Sequence, residues 1–161
     1  MNKVLIPTKL SDVAANTLKT AGYEVIQDAD TPLEKQVAAH PDAVALIVRS
    51  EKVTPEIMDA LPSLKLVVRA GAGYDNVDLA AATAHGVVVM NTPGQNSNAV
   101  AELVFGMLVF AVRNFYNGKA GTELKGKKLG ILAYGNVGRR VAHIAKGFDM
   151  DVYAYDAYCP A

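Results

Sequence analysis

At 161 residues, 51% hydrophobic and 20% charged, the chain is long enough for one domain or two small ones built around real cores. Its 16 Lys and Arg balance its 16 Asp and Glu, so no electrostatic footprint argues for nucleic acid. One cysteine, Cys159, excludes an internal disulfide; with no signal-peptide core at the start, the chain reads as cytoplasmic.

Lys3–Pro7 is a predicted apolar strand. Ser11 and Asp12 open a helix over Ser11–Ala21, with Val13, Ala14, Leu18 and Ala21 at helical spacing and Gly22 as its stop. Tyr23–Gln27 is a second strand, and Thr31-Pro32 opens a second helix to about Ala39. Ala43–Arg49 lacks alternation and reads as a buried third strand. Thr54-Pro55 starts a third helix, and Leu64–Arg69 is a fourth strand. Asp75–His85 is a helix capped by Asp75 and Asn76 and closed by Gly86; Val87–Met90 is a fifth strand. This alternation argues for a doubly wound parallel sheet.

Asn91–Asn98 is a polar loop and a domain boundary, with Asn98 as the N-cap of a helix over Ala99–Val112. That apolar run, broken only by Glu102, is 14 residues long, short of the roughly 20 that span a bilayer. Its apolar residues fall on every side of a helix, which demands cover on all sides. Glu102 within it must be paired or sit in the first turn.

After the loop Asn117–Lys127, an apolar run ends at Ala133 and enters the turn Ala133-Tyr134-Gly135-Asn136-Val137-Gly138. Helical spacing follows, then a second apolar run ending in Asp156, 18 residues beyond Gly138. This is the strand–turn–helix–strand–acid order of a dinucleotide-binding βαβ unit. Glycines let the backbone approach a pyrophosphate, the helix N-terminus offers N–H donors, and the acid accepts from a ribose 2′-OH. No arginine follows Asp156, which favours NAD over NADP. Ala133 stands where the first glycine belongs and fits only if its φ stays negative.

Arg49 and Ser50 end the third strand and Arg69 the fourth, and ligands of open α/β sheets bind beyond strand carboxyl ends. Two guanidinium groups suit a phosphate and a carboxylate, although either arginine alone reads equally well as a solvated loop cation. Gly71-Ala72-Gly73 permits close approach of backbone N–H groups to an anion, or is a plain strand-to-helix turn. None of the histidines reads as a catalytic base: His40 precedes a proline, His85 closes a helix, and His143 falls off the apolar face of its helix.

Val68–Leu79 (VRAGAGYDNVDL), Val89–Glu102 (VMNTPGQNSNAVAE), the glycine turn and Asp156, in that order, resemble the D-2-hydroxyacid dehydrogenase family. The resemblance implies a flavodoxin-like parallel-sheet substrate domain over residues 1–97, then the first βαβ of a Rossmann NAD-binding domain over residues 98–161. It implies hydride transfer from a D-2-hydroxy acid to NAD, with Arg49, Ser50, Arg69, Gly71, Ala72 and Gly73 at the substrate. The two arginines favour a phosphorylated 2-hydroxy acid. Ala72, Tyr134, Gly135, Asn136, Val137, Gly138 and Asp156 would serve the cofactor, with Asn96, Ser97 and Glu102 near it and no metal. The family's catalytic arginine, acid and histidine would lie downstream of Ala161, so the chain is expected to be part of a longer enzyme. A homodimer through the helix over 99–112 is implied as well. The short link Arg113–Gly121, in a chain without tryptophan, departs from the longer segment of many members. Another member of the family, such as a glyoxylate/hydroxypyruvate reductase, or a non-catalytic binding module, would carry the same motifs.

Overall fold

The computed structural model of the protein describes residues 1–158, so Cys159 lies outside the described residues. The elements, in chain order, are β1 (Lys3–Ile6), α1 (Asp12–Thr20), β2 (Glu24–Gln27), α2 (Leu33–Ala39), β3 (Ala43–Val48), α3 (Pro55–Asp59), β4 (Leu66–Arg69), α4 (Leu79–Ala84), β5 (Val88–Asn91), α5 (Ser97–Val112), β6 (Lys128–Leu132), α6 (Asn136–Gly147) and β7 (Asp151–Tyr155). The chain divides into two compact units, Met1–Pro93 and Gly94–Ala161.

In the first unit, five parallel strands pair in the order β2-β1-β3-β4-β5, the flavodoxin-like arrangement. Successive side chains of a strand point to opposite faces. Leu5, Leu46, Val48 and Val67 turn to one face and meet Leu33 and Val37 of α2, Ile57 and Met58 of α3 and Ala82 of α4. Val4, Ile6 and Ala45 turn to the other and meet Ala15 of α1. With helices on both faces the central strands need no polar side, and Leu5, Leu46 and Val67 are fully buried. Each such side chain contributes roughly 1.5–3 kcal/mol by leaving water.

Ser11 caps α1 as the sequence indicates, accepting from the Val13 N–H. The helix over Asp75–His85 is shorter than its pattern and begins only at Leu79. Val77 makes a parallel bridge to Val53, the Asp78 N–H donates to the Val53 carbonyl, and the Asn76 carbonyl accepts the Val53 N–H. Those bonds, with a turn at Asp75-Asn76 closed by the Val77 N–H on the Tyr74 carbonyl, keep both residues out of the helix, so neither caps it. Asp78 caps it instead, its Oδ1 accepting the Ala81 N–H at 2.9 Å.

In the second unit, β6 and β7 pair in parallel, joined by α6. Helix α5 starts at Ser97, earlier than its apolar run suggests, and Asn98 is not its N-cap. Asn98 Nδ2 donates to Glu102 Oε1 at 2.6 Å, so Asn98 and exposed Glu102 pair along the helix surface. Ala101 and Phe105 of α5 pack with Val141, Ala142 and Ala145 of α6, and the Phe105 ring stacks on Phe148 at 5.1 Å. Within this chain only one side of α5 is covered. Val100, Leu103, Met107 and Phe110, spaced along the opposite face, remain exposed. Among the described residues no helix is long and apolar enough to cross a membrane.

His85 links two helices of the first unit. One ring nitrogen lies 2.8 Å from the Ala81 carbonyl, and Nε2 lies 2.8 Å from Asp59 Oδ1. The hydrogen bond to Asp59, then that to the Ala81 carbonyl, raise the His85 pKa above its ordinary 6.5. A raised folded-state pKa contributes stability that is fully present below 6.5 and lost as pH rises through the folded value. The melting-temperature deficit of His85→Ala, measured by calorimetry, is therefore expected to be larger near about pH 5.5 than near about pH 8.5. A deficit independent of pH would assign His85 to packing alone.

Candidate functional site

Parallel pairing places all carboxyl ends of the first sheet on one rim. The order reverses between β1 and β3, the position where open α/β sheets leave a crevice for ligand. Thr8 follows β1; Arg49, Ser50 and Glu51 follow β3; Arg69 ends β4, and Gly71 to Gly73 follow it. The β3–β4 register sets Val48 opposite Arg69. That juxtaposition lets Arg69 Nε donate to the Arg49 carbonyl at 3.0 Å. Arg49 and Ser50 are exposed, Arg69 half-buried. Neither arginine makes an ion pair among the described residues.

The loop after β4 is held from several sides. The Gly71 N–H donates to the Arg69 carbonyl at 2.8 Å, the Thr92 N–H donates to the Gly71 carbonyl at 2.9 Å, and Asn91 Nδ2 donates to the Ala72 carbonyl at 2.7 Å. Arg69 folds over this turn. A Cβ on Gly71 would stand 1.6 Å from Arg69 Nη1, so any side chain there would displace the guanidinium. Gly73 is exposed beyond it. The structure thus gathers Arg49, Ser50, Arg69, Gly71, Ala72 and Gly73 on one rim.

Sequence reasoning missed Glu51, Thr8, Asn76 and Asn91. Glu51 Oε2 accepts the N–H groups of Arg49 at 2.8 Å and Ser50 at 3.1 Å, and Asn76 Nδ2 donates to the Glu51 carbonyl at 2.7 Å. Partial burial is the largest single influence on Glu51 and acts to raise its pKa. The N–H groups of Arg49, of Glu51 itself and of Ser50, with the hydroxyl of buried Thr8, outweigh it and hold the carboxyl below the usual range. The available signal was position: Thr8 and Glu51 follow the two strands that flank the reversal.

The second unit carries the glycine turn. Ala133 to Gly135 lead from β6 into α6, whose first backbone bond runs from the Arg139 N–H to the Gly135 carbonyl. The N–H groups of Asn136, Val137 and Gly138 therefore precede the helical ladder, and around Gly135 an added Cβ would meet open space. At Gly138 a Cβ would lie 2.3 Å from the Ala133 carbonyl oxygen, so only glycine lets α6 come this close to β6. The β6–β7 register sets Leu132 opposite Tyr155 and delivers Asp156 beside the turn. Asp156 Oδ2 accepts the Tyr134 N–H at 2.6 Å, and Oδ1 the Tyr158 N–H at 2.8 Å. Open N–H donors at a helix start, a turn free of side-chain bulk and an acid at the next strand end together fit a dinucleotide.

Ala133 corrects the sequence reading: its φ is +78°, not negative. Its N–H donates to the Tyr155 carbonyl at 2.8 Å and its carbonyl oxygen packs against Gly138, so the backbone is held on both sides in the left-handed conformation. Of the histidines, His85 is committed to Asp59 and Ala81, His40 ends α2, and His143 is exposed on α6.

Comparison with known proteins follows the same lines. Residues 4–154 match the family described as D-isomer specific 2-hydroxyacid dehydrogenase, catalytic domain. The D-3-phosphoglycerate dehydrogenase of Rattus norvegicus is 41% identical over 170 aligned positions, covering 97% of this chain and 32% of the relative. That of Methanocaldococcus jannaschii is 36% identical, covering 99% of this chain and 33% of the relative. The crystal structure of NAD+-bound 3-phosphoglycerate dehydrogenase from Entamoeba histolytica superposes with a TM-score of 0.88 at 40% identity, over 99% of this chain and 55% of that one. The chain thus spans about a third of the length of the curated relatives it matches.

Because a left-handed alanine costs roughly 1–2 kcal/mol, Ala133→Gly is expected to stabilise the protein by about 1 kcal/mol, after the greater unfolded-chain entropy of glycine. Ala133→Val should destabilise it by more than that. Urea denaturation of the three proteins checks the order; a valine variant as stable as the glycine one would remove the strain.

Proposed function

This chain belongs to the D-isomer specific 2-hydroxyacid dehydrogenase family, and from that premise we propose that the complete protein is a cytoplasmic NAD-dependent oxidoreductase converting D-3-phosphoglycerate to 3-phosphohydroxypyruvate, for serine biosynthesis. The observation that carries this reading is the pair Arg49 and Arg69, coupled through Arg69 Nε and the Arg49 carbonyl at adjacent strand ends, with no carboxylate neutralising either among the described residues. Two cations at one rim suit a substrate with two anionic groups, a phosphate and a carboxylate.

The first unit is the substrate domain and the second holds the cofactor. Arg49, Ser50 and Arg69 bind substrate anions, and the Gly71–Gly73 main chain approaches the substrate carboxylate. Ala72 is assigned to the cofactor as well. At the second unit, the N–H groups of Asn136, Val137 and Gly138 hold the pyrophosphate behind the turn Tyr134-Gly135, and Asp156 accepts from the ribose 2′-OH while repelling a 2′-phosphate. Bound NAD supplies the hydride acceptor.

One split tests the assignment in the complete protein. Arg49→Ala or Arg69→Ala should raise KM for D-3-phosphoglycerate by about 10- to 150-fold, the size of one lost charged hydrogen bond, with little change in NAD binding. The loss should shrink for an analogue without phosphate. Asp156→Ala should instead weaken NAD by a similar factor and relax the bias against NADP. Equal losses for phosphorylated and unphosphorylated substrates would redirect the reading toward a glyoxylate/hydroxypyruvate reductase.

We also read the protein as a homodimer through α5. Leu103 and Met107 are 63% and 64% exposed, Phe110 is 50% exposed, and all three share the face opposite Ala101 and Phe105. Contiguous apolar surface of this kind marks association sites. Light scattering should show a dimer in the complete protein and a monomer for Leu103→Glu; a wild-type monomer removes α5 as an interface.

A further inference from the structure

Arg49 is held through its main chain on both sides. Its carbonyl accepts from Arg69 Nε at 3.0 Å, and its N–H donates to Glu51 Oε2 at 2.8 Å. The same carboxylate oxygen takes the Ser50 N–H at 3.1 Å. The Glu51 main chain is anchored in turn by Asn76 Nδ2. Yet Glu51 forms no ion pair with either arginine among the described residues. An acid two residues from a guanidinium that spends its acceptor positions on main-chain N–H groups orders the loop without neutralising the cation. A glutamine oxygen could accept the same two bonds; the ionised group accepts them more strongly.

We propose that Glu51 is a positioning residue for substrate binding: it clamps the main chain of Arg49 and Ser50 to the switch point between β1 and β3, so that the Arg49 guanidinium is held ready for an anionic group of the substrate. Glu51 touches no substrate and acts through Arg49; the inference rests on the reading of Arg49 as a substrate-anion residue. Its contribution is preorganisation. A loop already ordered in the free protein loses less conformational freedom when the ligand arrives. The depressed Glu51 pKa is consistent with this, since the main-chain N–H groups favour the ionised form.

The test compares wild type, Glu51→Gln and Glu51→Ala in the complete protein, by steady-state kinetics and by amide hydrogen exchange. In Glu51→Ala the Arg49 and Ser50 amides should exchange at least about tenfold faster, as unclamped main chain does. KM for D-3-phosphoglycerate should rise about tenfold with kcat changed less than about twofold, and KM for NAD should hold. Glu51→Gln, which keeps the shape and one acceptor, should recover much of both losses. Unchanged exchange at Arg49 and Ser50 overturns the clamp whatever the kinetics show. Faster exchange with unchanged KM overturns the substrate role, and so does a KM for substrate that falls in both variants, which would make Glu51 a competitor for the anion site. A wild type indifferent to substrate phosphate is a failure of the proposed function, visible in the unmutated protein, whereas failure of Glu51 alone leaves the Arg49 and Arg69 losses intact.

Discussion

Parallel pairing in the order β2-β1-β3-β4-β5 is the constraint on which the first unit depends. It puts the carboxyl ends of β1, β3 and β4 on one rim and sends the chain away from β1 and β3 in opposite directions. Residues far apart in sequence then become hydrogen-bonding neighbours: Arg69 reaches Arg49, and Asn76 reaches Glu51. The register matters as much as the order. A one-residue slip of β4 against β3 would turn Arg69 to the other face and leave the Arg49 carbonyl without its donor. Burial enforces the register, because the same slip would expel Val67 from the core it shares with Leu46.

The second unit repeats this logic with two strands. Pairing of β6 with β7 brings Asp156 to the Tyr134 N–H, and a tight turn carries the chain into α6. Both rims use a carboxylate to order main-chain N–H groups, Glu51 after β3 and Asp156 beside the glycine turn. The turn is built tightly enough to hold Ala133 in a conformation that suits glycine. Strain at such a position persists only where the surroundings over-determine the backbone. Here the Tyr155 carbonyl and the close approach of Gly138 do so.

Helix α5 shows how a single element can serve two faces. Small residues on one side, Ala101 with Ala142 and Ala145 opposite, let α5 and α6 approach closely, and the Phe105–Phe148 stack fills the end of that contact. The other side presents Val100, Leu103, Met107 and Phe110 to solvent. Apolar residues on opposite sides cancel any amphipathic signal, so the sequence pattern reads as burial all round while the folded unit covers one side only.

Local chemistry was legible in the amino-acid sequence. Apolar runs located the strands, Ser11 and Gly22 bounded α1, and Gly135, Gly138 and Asp156 at their spacing announced the dinucleotide unit. Arg49 and Arg69 close apolar runs, and that pattern alone puts them at strand ends and hence on the carboxyl rim of the sheet. What the sequence by itself determined is therefore the order of elements and the kind of residue at each strand end, because those follow from periodicities of a few residues. Tertiary structure alone decided that Asn76 and Val77 pair with β3's outgoing segment instead of starting α4, that Ala133 takes a positive φ, and that Glu51 holds Arg49 and Ser50. The first two are settled by hydrogen bonds to partners more than twenty residues away. The third is anchored from Asn76, whose Nδ2 reaches the Glu51 carbonyl from 25 residues away. Bonds of that reach form only after the sheet has chosen its strand order, and no window of local sequence contains both ends of them.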